Sequence, residues 1–258
     1  MVASGTAVSE RPGQAARAKL TAAAVMLLAR WTPYLESEML GLDRLVGPGS
    51  VCLDVGSAAG LYTLALSRLA GPSGQVHSVE PLTFAHPAWT RLLRSRDAAN
   101  VRHHAVALGA EPGSEVMSVP VGRYGPVTGR SFLDWKTSGL GSNAEFASQM
   151  NVAVDVQTLD GLCERAGLTR LDFIKIDVEG AELHVLEGGE RSIAAFRPAI
   201  LVEIEARHTA RYDYRPDDIV GWLTRRGYTM RTWRGAWQEA SAVCTHVRNY
   251  LFIPPHEA

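Results

Sequence analysis

An α/β fold, with a mostly parallel, doubly wound sheet and helices on both faces, is what this sequence predicts. The runs Val51 to Val55 and Ala199 to Ile204 are almost continuously apolar, as strands become when helices cover both faces of a parallel sheet. Strand-like and helix-like stretches alternate at βαβ spacing before residue 109 and again after residue 151. A glycine-flanked turn joins the first of these strands to its helix, as in nucleotide-binding sheets.

Residues 1–14 are small and polar and include Pro12 and Gly13, which reads as a loose N-terminal arm. From there the chain reads as a single domain to residue 258. Ala15 to about Val46 has helical spacing, broken near Pro33, and predicts a helical cover. Within it, Arg17 to Arg30 is the one candidate targeting segment, but its apolar run is short and no cleavage-site turn follows, so an amphipathic packing helix is expected in place of a signal peptide. The strand Val51 to Val55 leads into a helix over Leu61 to Ala70. A strand over Gln75 to Glu80, a helix over Trp89 to Ala98 and a strand over Val101 to Leu108 complete the first half.

The rhythm stops over residues 109–150, where Val116 to Val121 alone has strand character and Gly122, Gly125, Gly129, Gly139 and Gly141 signal irregular backbone. A lid-like insertion is expected there. Order resumes with strands over Val152 to Val156, Phe173 to Ile176 and Ala199 to Ile204. Helices are expected over Leu159 to Ala166, over Ala181 to Phe196 with a weak point at Gly188-Gly189, and over Pro216 to Arg226. Strands over Tyr228 to Trp233 and Asn249 to Ile253 close the sheet.

Composition narrows the function. The 258 residues carry 26 basic and 27 acidic side chains, so no global field draws the protein to nucleic acid or an anionic membrane. Cys52, Cys163 and Cys244 form no CxxC pair, which excludes a zinc knuckle and suits a reducing cytoplasm. Partners must be recognised locally, and a small molecule is expected.

Three constellations carry chemistry. In Asp54-Val55-Gly56-Ser57-Ala58-Ala59-Gly60, Gly56 and Gly60 allow a sharp turn and close approach of a ligand. Glu80 ends the second strand 20 residues after Gly60, where a carboxylate accepts hydrogen bonds from both hydroxyls of a ribose. In Leu171 to Glu182, alternation puts Phe173, Lys175 and Asp177 on one face of the strand and Ile174 and Ile176 on the other, so Asp177 emerges at the carboxyl edge. Glu179 and Glu182 read equally well as acids favouring a helix N-terminus.

These motifs, with Val79-Glu80-Pro81, Thr158-Leu159-Asp160, Arg197-Pro198 and Glu203, resemble the FkbM-type S-adenosylmethionine-dependent methyltransferases. The string Ile174-Lys175-Ile176-Asp177-Val178-Glu179-Gly180-Ala181-Glu182 is the most specific part, and the likeness runs from about residue 50 to 205. It implies a class I Rossmann-like methyltransferase sheet and O-methylation of a natural product or sugar. It also implies that Asp54, Gly56, Ser57 and Gly60 line the methionine end of the cofactor, with Asp177 nearby. Glu80 would hold the ribose, and Ala105 and Val106 would lie near the adenine. The chain departs from the family at Ala58, where Asn is usual.

Methyl transfer to an alcohol needs alignment and removal of the acceptor's proton. His208, which follows the strand ending near Ile204, is the expected base, acting with Asp177. The alternative is a divalent cation, with Mg²⁺ expected on the oxygen ligands Asp177, Glu203 and Glu205. Tyr124, Phe132, Trp135 and Phe146 are expected to cover a hydroxylated acceptor, and His103, His104 and His184 to pack in the fold. The N-terminal helix is a candidate homo-oligomer contact.

Two other classes compete. A nicotinamide-dependent oxidoreductase would need a full GxGxxG, which is absent, and a catalytically silent methyltransferase-like partner would bind cofactor weakly. Nucleic-acid methylation lacks an Asn-Pro-Pro-aromatic motif and a basic track.

Overall fold

The structure is a computed structural model that describes residues 36–82, 99–123, 125–135, 137, 143 and 145–255. The expected arm over 1–14, the helical cover before residue 36, the helix over 89–98 and Tyr124 lie outside the described residues.

After a 3₁₀ helix over Ser37–Arg44 come β1 (Val51–Val55), α1 (Leu61–Ala70), β2 (Gln75–Val79), β3 (Val101–His104) and β4 (Ala107–Leu108). Next are β5 (Gly113–Gly122), β6 (Gly125–Pro126), β7 (Phe132–Leu133), β8 (Ser148–Gln157), α2 (Leu159–Arg165) and β9 (Phe173–Ile176). The chain continues with α3 (Glu182–Glu187), α4 (Glu190–Phe196), β10 (Ala199–Glu203), α5 (Ala206–Thr209) and α6 (Pro216–Thr224). It finishes with β11 (Thr229–Trp233), β12 (Trp237–Glu239) and β13 (Asn249–Ile253).

Among the described residues the main sheet has eight strands in the order β12-β11-β13-β10-β9-β1-β2-β3. From β3 to β10 every pairing is parallel, and β13 runs antiparallel between β10 and β11. The chain winds outward from β1 through β2 to β3, then returns to the other side of β1 with β9. The switch point, and therefore the ligand crevice, falls at the carboxyl ends of β1 and β9.

Both faces of this sheet are buried. Leu53, Val55, Ile174, Ile176, Ile200 and Val202 pack on one side with Leu162, Val185, Ile193 and Ile219 from the helices. Cys52, Phe173 and Leu201 face the other side, against Met39, Leu42, Ala65 and Leu66. The alternation along each strand is what assigns these residues to opposite layers, and each fully buried Leu or Ile contributes about 2 kcal/mol. The three cysteines are free thiols. No helix among the described residues is long and apolar enough to cross a membrane.

Several elements differ from the sequence expectation. The strand expected over Val101 to Leu108 divides, because β4 leaves the main sheet to pair with β8. The insertion is a folded antiparallel sheet in place of an irregular lid: β5 pairs with β8 from Gly113↔Val156 to Val121↔Ser148, and β6 and β7 flank β5. Its buried side holds Leu82, Ala107, Val119, Leu133, Val154 and Val156. The helix over Ala181 to Phe196 breaks into α3 and α4 at Gly188-Gly189, the weak point expected there, where a Cβ on Gly188 would stand 2.1 Å from the Gly109 carbonyl oxygen. The described part of the N-terminal cover is a single 3₁₀ helix, and β12 has no counterpart in the sequence reading.

Candidate functional site

A cavity of about 300 Å³ lies over the carboxyl ends of β1, β2, β9 and β10 and under the second sheet. One end is walled by Gly56, Ala58, Glu80, Val106 and Ala107, the other by Glu36, Asp177, Glu179 and Glu203, and the insertion closes it with Met117, Thr128–Ser131 and Leu133.

The turn after β1 makes the first wall. Gly56 has φ +77°, and a Cβ there would lie 1.7 Å from the Asp177 carbonyl oxygen, so two strand ends touch only because this residue is glycine. Ala58 is held at φ +42° and Gly60 at φ +78°. Asn tolerates such a backbone better than Ala, which gives the family's usual Asn a conformational reason at this position.

Glu80 ties the turn to the next strand. Its Oε2 accepts from the Ala58 N–H (3.0 Å) and its Oε1 from the Leu82 N–H (2.8 Å). Burial raises its pKa, opposed by these two N–H donors. Each oxygen keeps a second lone pair directed away from its amide partner.

Of the residues expected at the cofactor's methionine end, Gly56 alone lines the cavity together with Asp177. Asp54 is 1% exposed and accepts from Thr63 Oγ1 (2.5 Å), anchoring the first turn of α1. Burial pushes its carboxyl up to about 6. Ser57 accepts from Ser78 Oγ (2.8 Å), and Gly60 precedes α1, so these residues build the turn without facing the cavity. On the adenine side, Val106 lines the cavity and Ala105 is exposed outside it.

The acidic wall comes from a second unusual turn. After β9, Glu179 at φ +56° and Gly180 at φ +115° follow each other, and Gly180 is required because a Cβ would meet the His208 carbonyl at 2.6 Å. Glu182 braces the turn: its Oε1 accepts from Gly180 N–H (3.0 Å) and Val178 N–H (3.2 Å). Arg211 donates to the Glu179 carbonyl (2.7 Å), and Tyr214 donates to the Gly180 carbonyl. Glu182 is therefore a structural brace, whereas Glu179 is carried to the cavity.

Burial, then the nearby Asp177 charge, pushes the Glu179 carboxyl up to about 8. The same two causes push Glu203 up to about 10. Lys175 sits beneath them, 1% exposed, with Nζ 2.6 Å from Asn249 Oδ1 and 3.5 Å from Asp177 Oδ2. Burial works against its charge, but the surrounding carboxylates, Asp177 foremost, overcome it and raise its pKa.

His208 and Glu205 are not where the sequence suggested. His208 lies on α5, 2% exposed, behind the wall, with Nε2 3.1 Å from Glu179 Oε2 and Nδ1 3.7 Å from Glu203 Oε2. Burial lowers its pKa to about 4, so it is neutral and has no route to the cavity except through those carboxylates. Glu205 follows the end of β10 and turns away, because Arg207 (2.6 Å) and Arg248 (3.4 Å) take its carboxylate. It is no part of the carboxylate cluster that includes Asp177 and Glu203.

From the insertion, Phe132 is buried under the Arg211 guanidinium, Phe146 lies beside Arg130, and Trp135 packs on His184. None of the three lines the cavity. Sequence reasoning passed over Arg130 and left Glu179 open between a helix-terminal acid and a site residue. The signal for Glu179 was a non-glycine three residues beyond the end of a strand and followed by glycine, the pattern of a turn that presents its first side chain.

Two other motif residues prove structural. Asp160 accepts from the Ser192 N–H (2.8 Å) at the start of α4, and Arg197 at φ +50° stacks on Tyr228 and donates to the Arg226 carbonyl (2.9 Å).

Comparison with known proteins follows the same residues. A family model described as the methyltransferase FkbM domain matches residues 54–230. Methyltransferase 1 of Beauveria bassiana is 32% identical over 149 residues, which span 54% of this chain and 58% of that protein. The AMB antimetabolite synthetase AmbE of Pseudomonas aeruginosa is 28% identical over 218 residues, 74% of this chain but 10% of that protein. The chain thus spans little more than half the length of one curated relative and a tenth of the other. Among solved structures, the methyltransferase FkbM of Methylobacillus flagellatus aligns over 93% of this chain and 57% of its own, at 16% identity and a TM-score of 0.48.

Proposed function

We propose, from the premise that this chain belongs to the methyltransferase FkbM family, that it binds S-adenosyl-L-methionine in the cleft and methylates a hydroxyl oxygen of a small natural product or sugar. The observation that carries the reading is Glu80, a half-buried carboxylate on the cavity wall at the end of β2 with one lone pair of each oxygen uncommitted. That is the donor-free surface a ribose diol needs. The residues fit the cofactor in size as well, since about 300 Å³ is at the lower end of small-molecule sites. Bound there, S-adenosylmethionine would supply an electrophilic methyl group.

The chain's own residues do the remaining work. The turn from Gly56 to Gly60 and the wall from Val106 to Leu108 orient one partner, while Met117, Leu133 and the Thr128–Ser131 segment exclude water above it. The acceptor's hydroxyl faces Asp177, which lines the cavity and is steadied by Lys175. An alcohol is too weak an acid to ionise unaided near neutrality, so Asp177 takes the proton as the oxygen is methylated. His208, set behind Glu179, acts on this wall only through its neighbours. An acceptor small enough for this cavity is a metabolite, and a cytoplasmic enzyme would meet it there.

Calorimetric titration with S-adenosylhomocysteine tests the cofactor assignment, and mass spectrometry of hydroxylated metabolites for the gain of one methylene tests the transfer. Absence of any binding at millimolar ligand overturns the reading.

A further inference from the structure

We infer that Glu179, Glu203 and His208 form a site for a divalent transition-metal ion in the floor of the cleft. The three residues come from separate elements, the turn after β9, the end of β10 and α5, yet one ligand atom of each lies within 4.8 Å of the others. His208 Nε2 and Glu179 Oε2 are buried, 3.1 Å apart, and neither makes a hydrogen bond. Such a nitrogen–oxygen separation is what two adjacent ligands show around one ion, since bonds of about 2.1 Å at a right angle place their atoms about 3.0 Å apart.

The imidazole is 2% exposed, and its other nitrogen faces Glu203 at 3.7 Å. It is held between two carboxylates, with Nε2 toward Glu179 and Nδ1 toward Glu203. Burying an unpaired polar group costs free energy unless something satisfies it. Here Asp177, Glu179 and Glu203 converge, with Lys175 as the buried cation beneath them. A divalent ion satisfies both orphaned atoms at once.

The donor set differs from the all-oxygen set expected of Mg²⁺. One imidazole with two carboxylates suits Mn²⁺ or Zn²⁺. Because Glu179 and Glu203 also line the cavity, the open coordination positions face the acceptor. There the ion would polarise an acceptor hydroxyl and ease transfer of its proton to Asp177. This role rests on the methyl-transfer reading, but the site itself does not.

The test uses the full chain, stripped with a chelator and titrated with Mn²⁺ by calorimetry and electron paramagnetic resonance, with Zn²⁺ in a parallel titration and no cofactor present. One ion per chain is expected, with nitrogen coupling from His208 in the pulsed spectrum of bound Mn²⁺. H208A and E179Q are each expected to weaken binding at least tenfold, and E205Q to leave it unchanged. The nitrogen coupling needs no variant, so a variant that fails to fold does not remove the test. No binding of either ion, or bound Mn²⁺ without nitrogen coupling, overturns the inference. S-adenosylhomocysteine titration of the same stripped protein reports separately on the cofactor site.

Discussion

Replacing Glu80 by Ala separates a cofactor-binding carboxylate from one that merely closes a turn. In the folded protein its two oxygens accept from the N–H groups of Ala58 and Leu82 at 3.0 and 2.8 Å. If a ribose diol takes the remaining lone pairs, E80A removes two further hydrogen bonds to a charged acceptor. At about 1.5 kcal/mol each, the low end for such bonds, the loss is about 3 kcal/mol, or roughly 150-fold in affinity. E80Q keeps one carbonyl oxygen and should fall between E80A and the unaltered protein. Affinity for S-adenosylhomocysteine by calorimetry is the measurement, with circular dichroism to show that the variant is folded. The loss of two N–H acceptors also predicts a lower melting temperature. A folded E80A protein that binds within threefold of the unaltered one would refute the assignment of the ribose to Glu80.

Other outcomes follow from the same geometry. Gly56→Ala should cost at least about 3 kcal/mol in urea unfolding, since its Cβ would overlap the Asp177 carbonyl at 1.7 Å and its φ is +77°; an unchanged midpoint would be incompatible with this packing. Ala58→Asn should stabilise by about 0.5–1 kcal/mol, because Asn accepts φ +42° more readily, and a thermal melt should move up by about 2 °C. Asp54 carries a pH dependence: its carboxyl titrates at about 6 when folded, against 3.8 as a free side chain. Between those values the folded state keeps a proton that the unfolded chain has released, so stability falls as pH rises through the window, by about 3 kcal/mol in all. D54N should remove that fall, and its stability relative to the unaltered chain should rise by about that amount from pH 4 to pH 7. Parallel stability curves for the two proteins would exclude it.

The strands that hold the cleft were legible because burial on both faces writes itself into composition. β1 is buried at all five positions, and β9 at all four despite Lys175. The second sheet was legible only as two short strand segments, Val116 to Val121 and Val152 to Val156, and its pairing was hidden for the opposite reason. Along β5 and β8 much of one face meets solvent, with Val116 and Met150 exposed, and the register joins residues more than 25 apart at every rung. Nothing local announces such a pairing, since the strand character of Val116 to Val121 is followed at once by Gly122 and Gly125, which signal irregular backbone.

At the site, Glu80 and Asp177 were found from strand ends alone. Glu205 stood among the expected cation ligands, but the extended run ends at Glu203 and two guanidinium groups take its carboxylate. His208 was placed near the right strand end, but on the far side of the wall from the cavity, a distinction that depends on the tilt of a four-residue helix.

The second sheet is spun from one uninterrupted stretch, Ala107 to Gln157, and its two ends lie side by side. Leu108 stands opposite Gln157, whose carbonyl accepts from the Gly109 N–H at 2.9 Å. Chain that leaves and re-enters a scaffold at adjacent points can be exchanged at little entropic cost. In this molecule that stretch supplies the roof of the cleft, while Glu80, Asp177 and their supporting turns belong to the scaffold below. Grafting a relative's Gly113–Ser148 hairpin onto this chain would change what the roof admits and leave the carboxylates where they are.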